Sequence, residues 1–297
     1  MILLNSNSSN PPPNLQPQLP LPSEAARQYE QTVLGLAYTH GKSVVSRCNL
    51  AYGRDPAQRY DVYFQDDVSG RPVLIFWHGG GWTNGYKEYV SFMAEHVVRL
   101  GMVLVAPTYR LAPAHRLPAA HADCLLLLQT LSMQAPLYGG SADRLYLSGH
   151  SAGAHLATLT ALRKRELAAA GIRDGAIRAC LPISGIMDLH HPSPAAQSLE
   201  ERVYSMVLSA AEHDGVMSPL CWANGNTIPM LISCGENDSA RVLSSNRRLA
   251  SLLAYQDCRQ SFHVEVGLDH FQTHLALRDP DHAWYRRLAL IVKETNQ

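Results

Sequence analysis

Five apolar runs of strand length recur along the chain: Val73–Trp77, Met102–Ala106, Arg144–Ser148, Arg178–Ile183 and Pro229–Cys234. Side chains stay apolar through nearly every position, so both faces of each strand are expected to be covered. Gln58–Phe64 and Ser261–Val266 alternate instead, the pattern of strands with one wetter face. Helical stretches fall between the runs, over Val90–Leu100 with Gly101 as the stop, Ala119–Met133 and Ala154–Arg163. Cys124 to Leu128 are apolar nearly all round, so that helix is expected to be well buried. Strands alternating with helices predict an α/β architecture with a mostly parallel central sheet flanked by helices.

Two stretches break this rhythm. Residues 1–22 are rich in Asn, Ser, Pro and Gln and are expected to form a disordered arm. A helix begins near Ser23, a candidate N-cap, and runs to Leu34, either as a docking helix or as a partial lid. Residues 185–228 carry Pro, His and acidic residues without a clear strand, and are expected to form a small helical cap insertion. Tyr204, Met206, Met217 and Trp222 are its candidate pocket walls. The organisation expected is an arm over 1–22 and a single domain over 23–297 carrying the insertion.

Charge narrows the partners. Lys plus Arg number 25 and Asp plus Glu number 25, which disfavours nucleic acid or an anionic membrane as partner. The six cysteines are scattered without a C-x-x-C pair, as suits a reducing compartment. The N-terminus lacks a basic region and a long apolar stretch, so no leader and no membrane span are expected, and the expected location is cytoplasmic. Nothing in the composition sets an oligomeric state.

Chemistry concentrates after the strands. Gly149-His150-Ser151-Ala152-Gly153 stands between a strand and a helix. This is the nucleophile-elbow arrangement: a turn so tight that its flanking residues are small, with Ser151 lifted clear and the Ala152 N–H aimed at a developing oxyanion. His78-Gly79-Gly80-Gly81-Trp82 follows the first apolar run and exposes backbone amides, making Gly80 and Gly81 the other oxyanion-hole candidates. Trp82 either lines the site or wedges the loop. Asp238 follows the Pro229–Cys234 strand as the candidate acid, with Glu236 as its competitor. His270 follows the last strand as the candidate base, with His274 one helical turn beyond as the fallback. The order serine, acid, histidine is the one an elbow serine requires. His270 and His274 have the spacing of a zinc-binding helix, but Phe271 occupies the position where that motif needs glutamate.

Taken together, these segments resemble the α/β-hydrolase superfamily from about residue 45 onward. Tyr109-Arg110-Leu111-Ala112-Pro113-Ala114-His115-Arg116-Leu117-Pro118-Ala119-Ala120 looks like the HGGG-type, hormone-sensitive-lipase-like esterases. Gly149 through Ala157 and Asp269-His270-Phe271 are similar to the kynurenine formamidase-like branch. The resemblance implies the α/β-hydrolase fold and a Ser151–His270–Asp238 triad cleaving a small carboxylic ester through an acyl-enzyme. A formamide of the N-formylkynurenine type is the alternative substrate. A non-catalytic ligand-binding protein on the same fold is the alternative of another class. The expected partner is a small-molecule ester or formamide, and the chemistry needs neither metal nor cofactor.

Overall fold

The computed structural model describes residues 15–295. Residues 1–14, most of the arm expected to lack structure, lie outside the described residues. Eight strands form one sheet in the order β1-β2-β4-β3-β5-β6-β7-β8. They are β1 Val45–Ala51, β2 Arg59–Phe64, β3 Arg71–Trp77, β4 Val103–Pro107, β5 Gly140–His150, β6 Ile177–Ile183, β7 Met230–Asn237 and β8 Gln260–Asp269. β2 runs antiparallel to both β1 and β4, and every other neighbouring pair is parallel.

The apolar runs occupy the middle of this sheet. Val73, Leu74, Ile75 and Phe76 of β3 and Leu145, Tyr146 and Leu147 of β5 are fully buried. Helices cover both faces: α1 Glu24–Gly35, α2 Ala94–Arg99, α3 Ala119–Gln134, α4 Ala152–Leu162, α5 Lys164–Ala169, α6 Leu199–Arg202, α7 Ala240–Leu253, α8 Gln272–Leu275 and α9 Ala283–Glu294. α4 is buried along its whole length, as a helix wedged under a tight turn must be. α3 is less enclosed than its sequence predicts. Cys124, Leu127, Leu128 and Leu131 are buried, whereas Leu125 and Leu126 remain partly open. Among the described residues no helix is long and apolar enough to cross a membrane.

Chain order reverses beside β3, which lies between β4 and β5. Ligands of open parallel sheets gather at the carboxyl ends of strands near such a reversal. β3 ends before His78, β5 before Ser151, β6 before Ser184, β7 before Asp238 and β8 before His270. Five of the six parallel strands therefore deliver one of these polar residues to the same edge.

Two covers lie over that edge. The segment between β6 and β7 carries α6, a π turn over Val203–Val207 and short 3₁₀ turns over Ala211–His213 and Pro219–Trp222. It is tied down by the Arg116 guanidinium, which donates to the carbonyls of Ser205 at 2.7 Å and Leu208 at 2.8 Å. The second cover is residues 15–22. The Gln18 side chain clasps the Gly85 peptide, donating to its carbonyl at 2.8 Å and accepting its N–H at 2.7 Å. Asn84 donates to the Leu19 carbonyl at 2.5 Å, and the Tyr86 hydroxyl donates to the Gln16 carbonyl at 2.7 Å. The expected N-cap at Ser23 is present, accepting from Ala26 N–H at 3.1 Å.

Candidate active site

The turn after β5 holds Ser151 at φ +54°, in the left-handed region that side chains other than glycine rarely enter. Packing enforces this strain. A Cβ on Gly149 would lie 2.5 Å from the Gly153 carbonyl carbon, and one on Gly153 would overlap the Trp77 carbonyl. Only hydrogen fits at either place, so strand, turn and helix close on one another and present the Ser151 hydroxyl at the sheet edge.

Ser151 Oγ lies 2.9 Å from Nε2 of His270. The other ring nitrogen, Nδ1, lies 2.6 Å from Oδ1 of Asp238. Asp238 has further donors: the Ser184 hydroxyl reaches Oδ2 at 2.6 Å and the Gly235 N–H reaches it at 3.0 Å. Burial alone would raise the Asp238 carboxyl. The hydrogen bonds from His270, Ser184 and Gly235 outweigh that effect and hold it below the ordinary value of 3.8. Glu236, the competing acid, is exposed and accepts the Gly267 N–H at 2.9 Å instead. The strand carries its side chain away from the histidine.

The backbone of His270 is itself held. His150 donates Nε2–H to the His270 carbonyl at 2.7 Å, and the Thr273 hydroxyl donates to the same oxygen at 2.8 Å. His150 stacks on His274, with ring planes 12° apart. His274, the fallback base, hydrogen-bonds the Tyr29 hydroxyl at 2.7 Å and does not reach Ser151. Burial pushes His150 well below its ordinary value and His274 down to about 3, so both rings are neutral.

The glycine loop presents amides by a simple geometric device. His78 donates Nδ1–H to the Gly79 carbonyl at 2.7 Å. The Gly80 carbonyl accepts from Thr83 N–H at 3.2 Å and Asn84 N–H at 3.0 Å. Both peptides are trans, so the N–H groups of Gly80 and Gly81 point opposite to those engaged carbonyls. No acceptor among the described residues takes either hydrogen. Gly80 and Gly81 have φ of +126° and +61°, and the Ala152 N–H opens α4. His78 stacks on Tyr109 at 4.5 Å, and burial pushes it down to about 4, so it braces the loop as a neutral ring.

Ser151, His270, Gly80, Gly81 and Trp82 line one cavity of about 360 Å³. Trp82 does both things weighed for it: it forms a wall, and its indole N–H donates to His155 at 3.3 Å. The walls expected from the insertion stand elsewhere. Tyr204 is turned to Asp214, donating its hydroxyl at 2.6 Å. Met217 is buried, and its carbonyl accepts from His155 at 2.7 Å. Trp222 lies under the Arg163 guanidinium at 4.5 Å. Met206 packs against the core. The insertion instead contributes Gln197, Leu199 and Arg202, and the N-terminal segment contributes Leu21, Pro22, Ala26 and Tyr29. Sequence reasoning missed Ser184 as well, although it is the first residue after β6 and so belongs to the same edge. Among the described residues no group of three or more His, Cys, Asp or Glu side chains is placed to hold a metal.

Comparison with known proteins agrees with this fold. A family model described as alpha/beta hydrolase fold matches residues 74–273. An isoprenylcysteine alpha-carbonyl methylesterase of Arabidopsis thaliana is 30% identical over 132 residues, covering 44% of this chain and 31% of the relative. A kynurenine formamidase of Salmo salar is 36% identical over 112 residues, 37% of each chain. The chain thus spans about a third of the length of these curated relatives. The solved structure of a Pyrobaculum calidifontis esterase superposes with a TM-score of 0.73 at 22% identity, covering 92% of this chain and 93% of that one. The elbow, the glycine loop and the strand order, together with the family match over residues 74–273, make the chain a member of the alpha/beta hydrolase fold family.

Proposed function

We propose that the protein hydrolyses small carboxylic esters through an acyl-enzyme on Ser151. The observation that carries this reading is the unbroken chain of contacts from Ser151 through His270 to Asp238, opening on a cavity also lined by Gly80 and Gly81. His270 takes the Ser151 proton as Oγ attacks the ester carbonyl carbon. Asp238 fixes the ring with Nδ1 protonated, which leaves Nε2 free to accept, and stabilises the imidazolium. The negative oxygen of the tetrahedral adduct is received by the N–H groups of Ala152, Gly80 and Gly81. His270 Nε2–H then protonates the leaving alcohol as its bond to carbon breaks. Water, deprotonated by His270, releases the acid and restores Ser151. No step calls on a metal or cofactor.

The same steps suit a formamide, and the similarity to a kynurenine formamidase favours testing it. A panel of p-nitrophenyl esters of increasing acyl length, run beside N-formylkynurenine, separates the readings. Higher kcat/KM on a short ester than on the formamide supports the proposal, and the reverse replaces it with the formamidase reading. A fluorophosphonate that leaves Ser151 unlabelled in folded protein returns the chain to a non-catalytic ligand-binding role.

A further inference from the structure

We propose that Arg202 receives a carboxylate carried by the substrate, so that the preferred esters bear a remote negative charge. The inference rests on the ester-hydrolase reading above. Arg202 closes α6 and lines the same cavity as Ser151 and His270. A guanidinium has five N–H donors and is always charged. One donor of Arg202 is engaged, Nη2 giving a hydrogen bond to the Thr83 hydroxyl at 2.9 Å. That hydroxyl passes its own hydrogen to Asn84 at 2.8 Å, so the arginine is fixed by a neutral partner and keeps its full charge.

Among the described residues no carboxylate pairs with that charge. The neighbouring Glu200 pairs with Arg241 at 3.3 Å. Among the described residues no Asp or Glu lines the cavity, and Glu30, which accepts from the wall residue Tyr89, lies in a separate groove beside Arg27. The other walls include Leu21, Trp82, Ile186, Leu199 and Phe271, which bring little water with them. A fixed, half-buried cation beside low-dielectric walls attracts an anion more strongly than one on open surface. A carboxylate fits the planar fork with two parallel hydrogen bonds. A cation needed only to tie the insertion to the glycine loop would not have to face the cavity.

The test compares matched pairs of esters. Monomethyl glutarate is set against methyl pentanoate, and 4-carboxyphenyl butyrate against 4-carbamoylphenyl butyrate, so the charge sits on the acyl side in one pair and on the leaving group in the other. The readout is kcat/KM for the anionic ester over its neutral partner. In one pair at least, the ratio is expected to exceed about tenfold at low salt and to fall with ionic strength. It falls by about tenfold or more in Arg202→Met, mainly through KM, and is partly restored in Arg202→Lys. Thr83→Val cuts the tether but leaves the charge, and the ratio persists.

A ratio at or below unity in both pairs overturns the proposal, as does a ratio unchanged in Arg202→Met. If no ester is cleaved, the hydrolase reading fails separately. The charge site is then read by calorimetry on Ser151→Ala protein with two inert probes, glutaric acid monoanilide and pentananilide. Tighter binding of the anionic probe, lost in Arg202→Met, supports the site, and equal binding of the two probes overturns it.

Discussion

The Ser184 hydroxyl donates to Oδ2 of Asp238 at 2.6 Å, leaving Oδ1 to the His270 ring at 2.6 Å. The two oxygens of one carboxylate are thereby assigned separate duties. Ser184→Ala removes a hydrogen bond to a charged group, worth about 1.5 kcal/mol, and so is expected to lower kcat roughly tenfold with little change in KM. Asp238→Asn is expected to cost roughly 10³–10⁴-fold in kcat, because the ring loses its fixed tautomer. Glu236→Gln, an exposed change, should stay within about twofold. Steady-state kinetics on one short ester ranks the three, and equal losses at Asp238 and Glu236 would contradict the assignment.

The glycines of the two turns differ in what a methyl group would strike. Gly153→Ala drives a methyl into the Trp77 carbonyl, and relief requires moving β3 or α4. A destabilisation above about 4 kcal/mol is expected, seen as loss of soluble folded protein. Gly80→Ala meets the Asn84 carbonyl and should distort the loop that presents its amide. At Gly81 a methyl would find only the Thr83 hydroxyl, 4.0 Å away, so Gly81→Ala bears backbone strain of about 1–2 kcal/mol and folds. Chemical denaturation of the three variants gives the order directly.

The segment before α1 is part of the cavity. Leu21 and Pro22 form wall, and Gln18 clasps the Gly85 peptide at the far end of the glycine loop. A chain beginning at Ser23 should fold, since Tyr29 still stacks on Phe271 at 4.9 Å. Its KM for short esters is expected to rise by about threefold or more, through lost apolar contact. An unchanged KM and acyl-length profile would show the segment to be a bystander.

Acid should destabilise the fold through its buried imidazoles. Burial pushes His78 and His155 down to about 4 and His121 and His274 down to about 3 from an ordinary 6.5, and His150 goes well below it. Between pH 6.5 and those lowered values the unfolded chain binds protons that the folded chain refuses. Stability is therefore complete above pH 6.5 and declines as pH falls, by up to about 1.4 kcal/mol per pH unit for each such ring. Asp238, also lowered, adds a loss only at still lower pH. Denaturant melts from pH 7.5 to 5 should show the decline, and a flat profile would mean that these rings gain protons while folded.

Much of the site was legible in the sequence because strand ends announce themselves. An apolar run followed by Gly149-His150-Ser151 or His78-Gly79-Gly80 marks both the buried strand and the polar residue that leaves it. The acid was harder. β7 continues to Asn237 and β8 to Asp269, past the points where their patterns fade, because a bulge between Gly235 and Asn237 lets the pairing run on. The insertion was not legible in detail. Tyr204, Met217 and Trp222 are large and apolar enough for any wall, and polar contacts with Asp214, His155 and Val216 decide where they go. Nothing local to Arg202 distinguishes it from Arg116, whose guanidinium is spent on two carbonyls.

The imidazoles around the elbow divide into one that solvent reaches and several that it does not. His78, His150, His155 and His274 are at most 1% exposed, whereas the side chain of His270 is 27% exposed. An acylating reagent such as diethyl pyrocarbonate therefore meets a single ring at this cavity, and peptide mapping can tell modified His270 from exposed rings elsewhere, such as His115 and His190, before any turnover is measured.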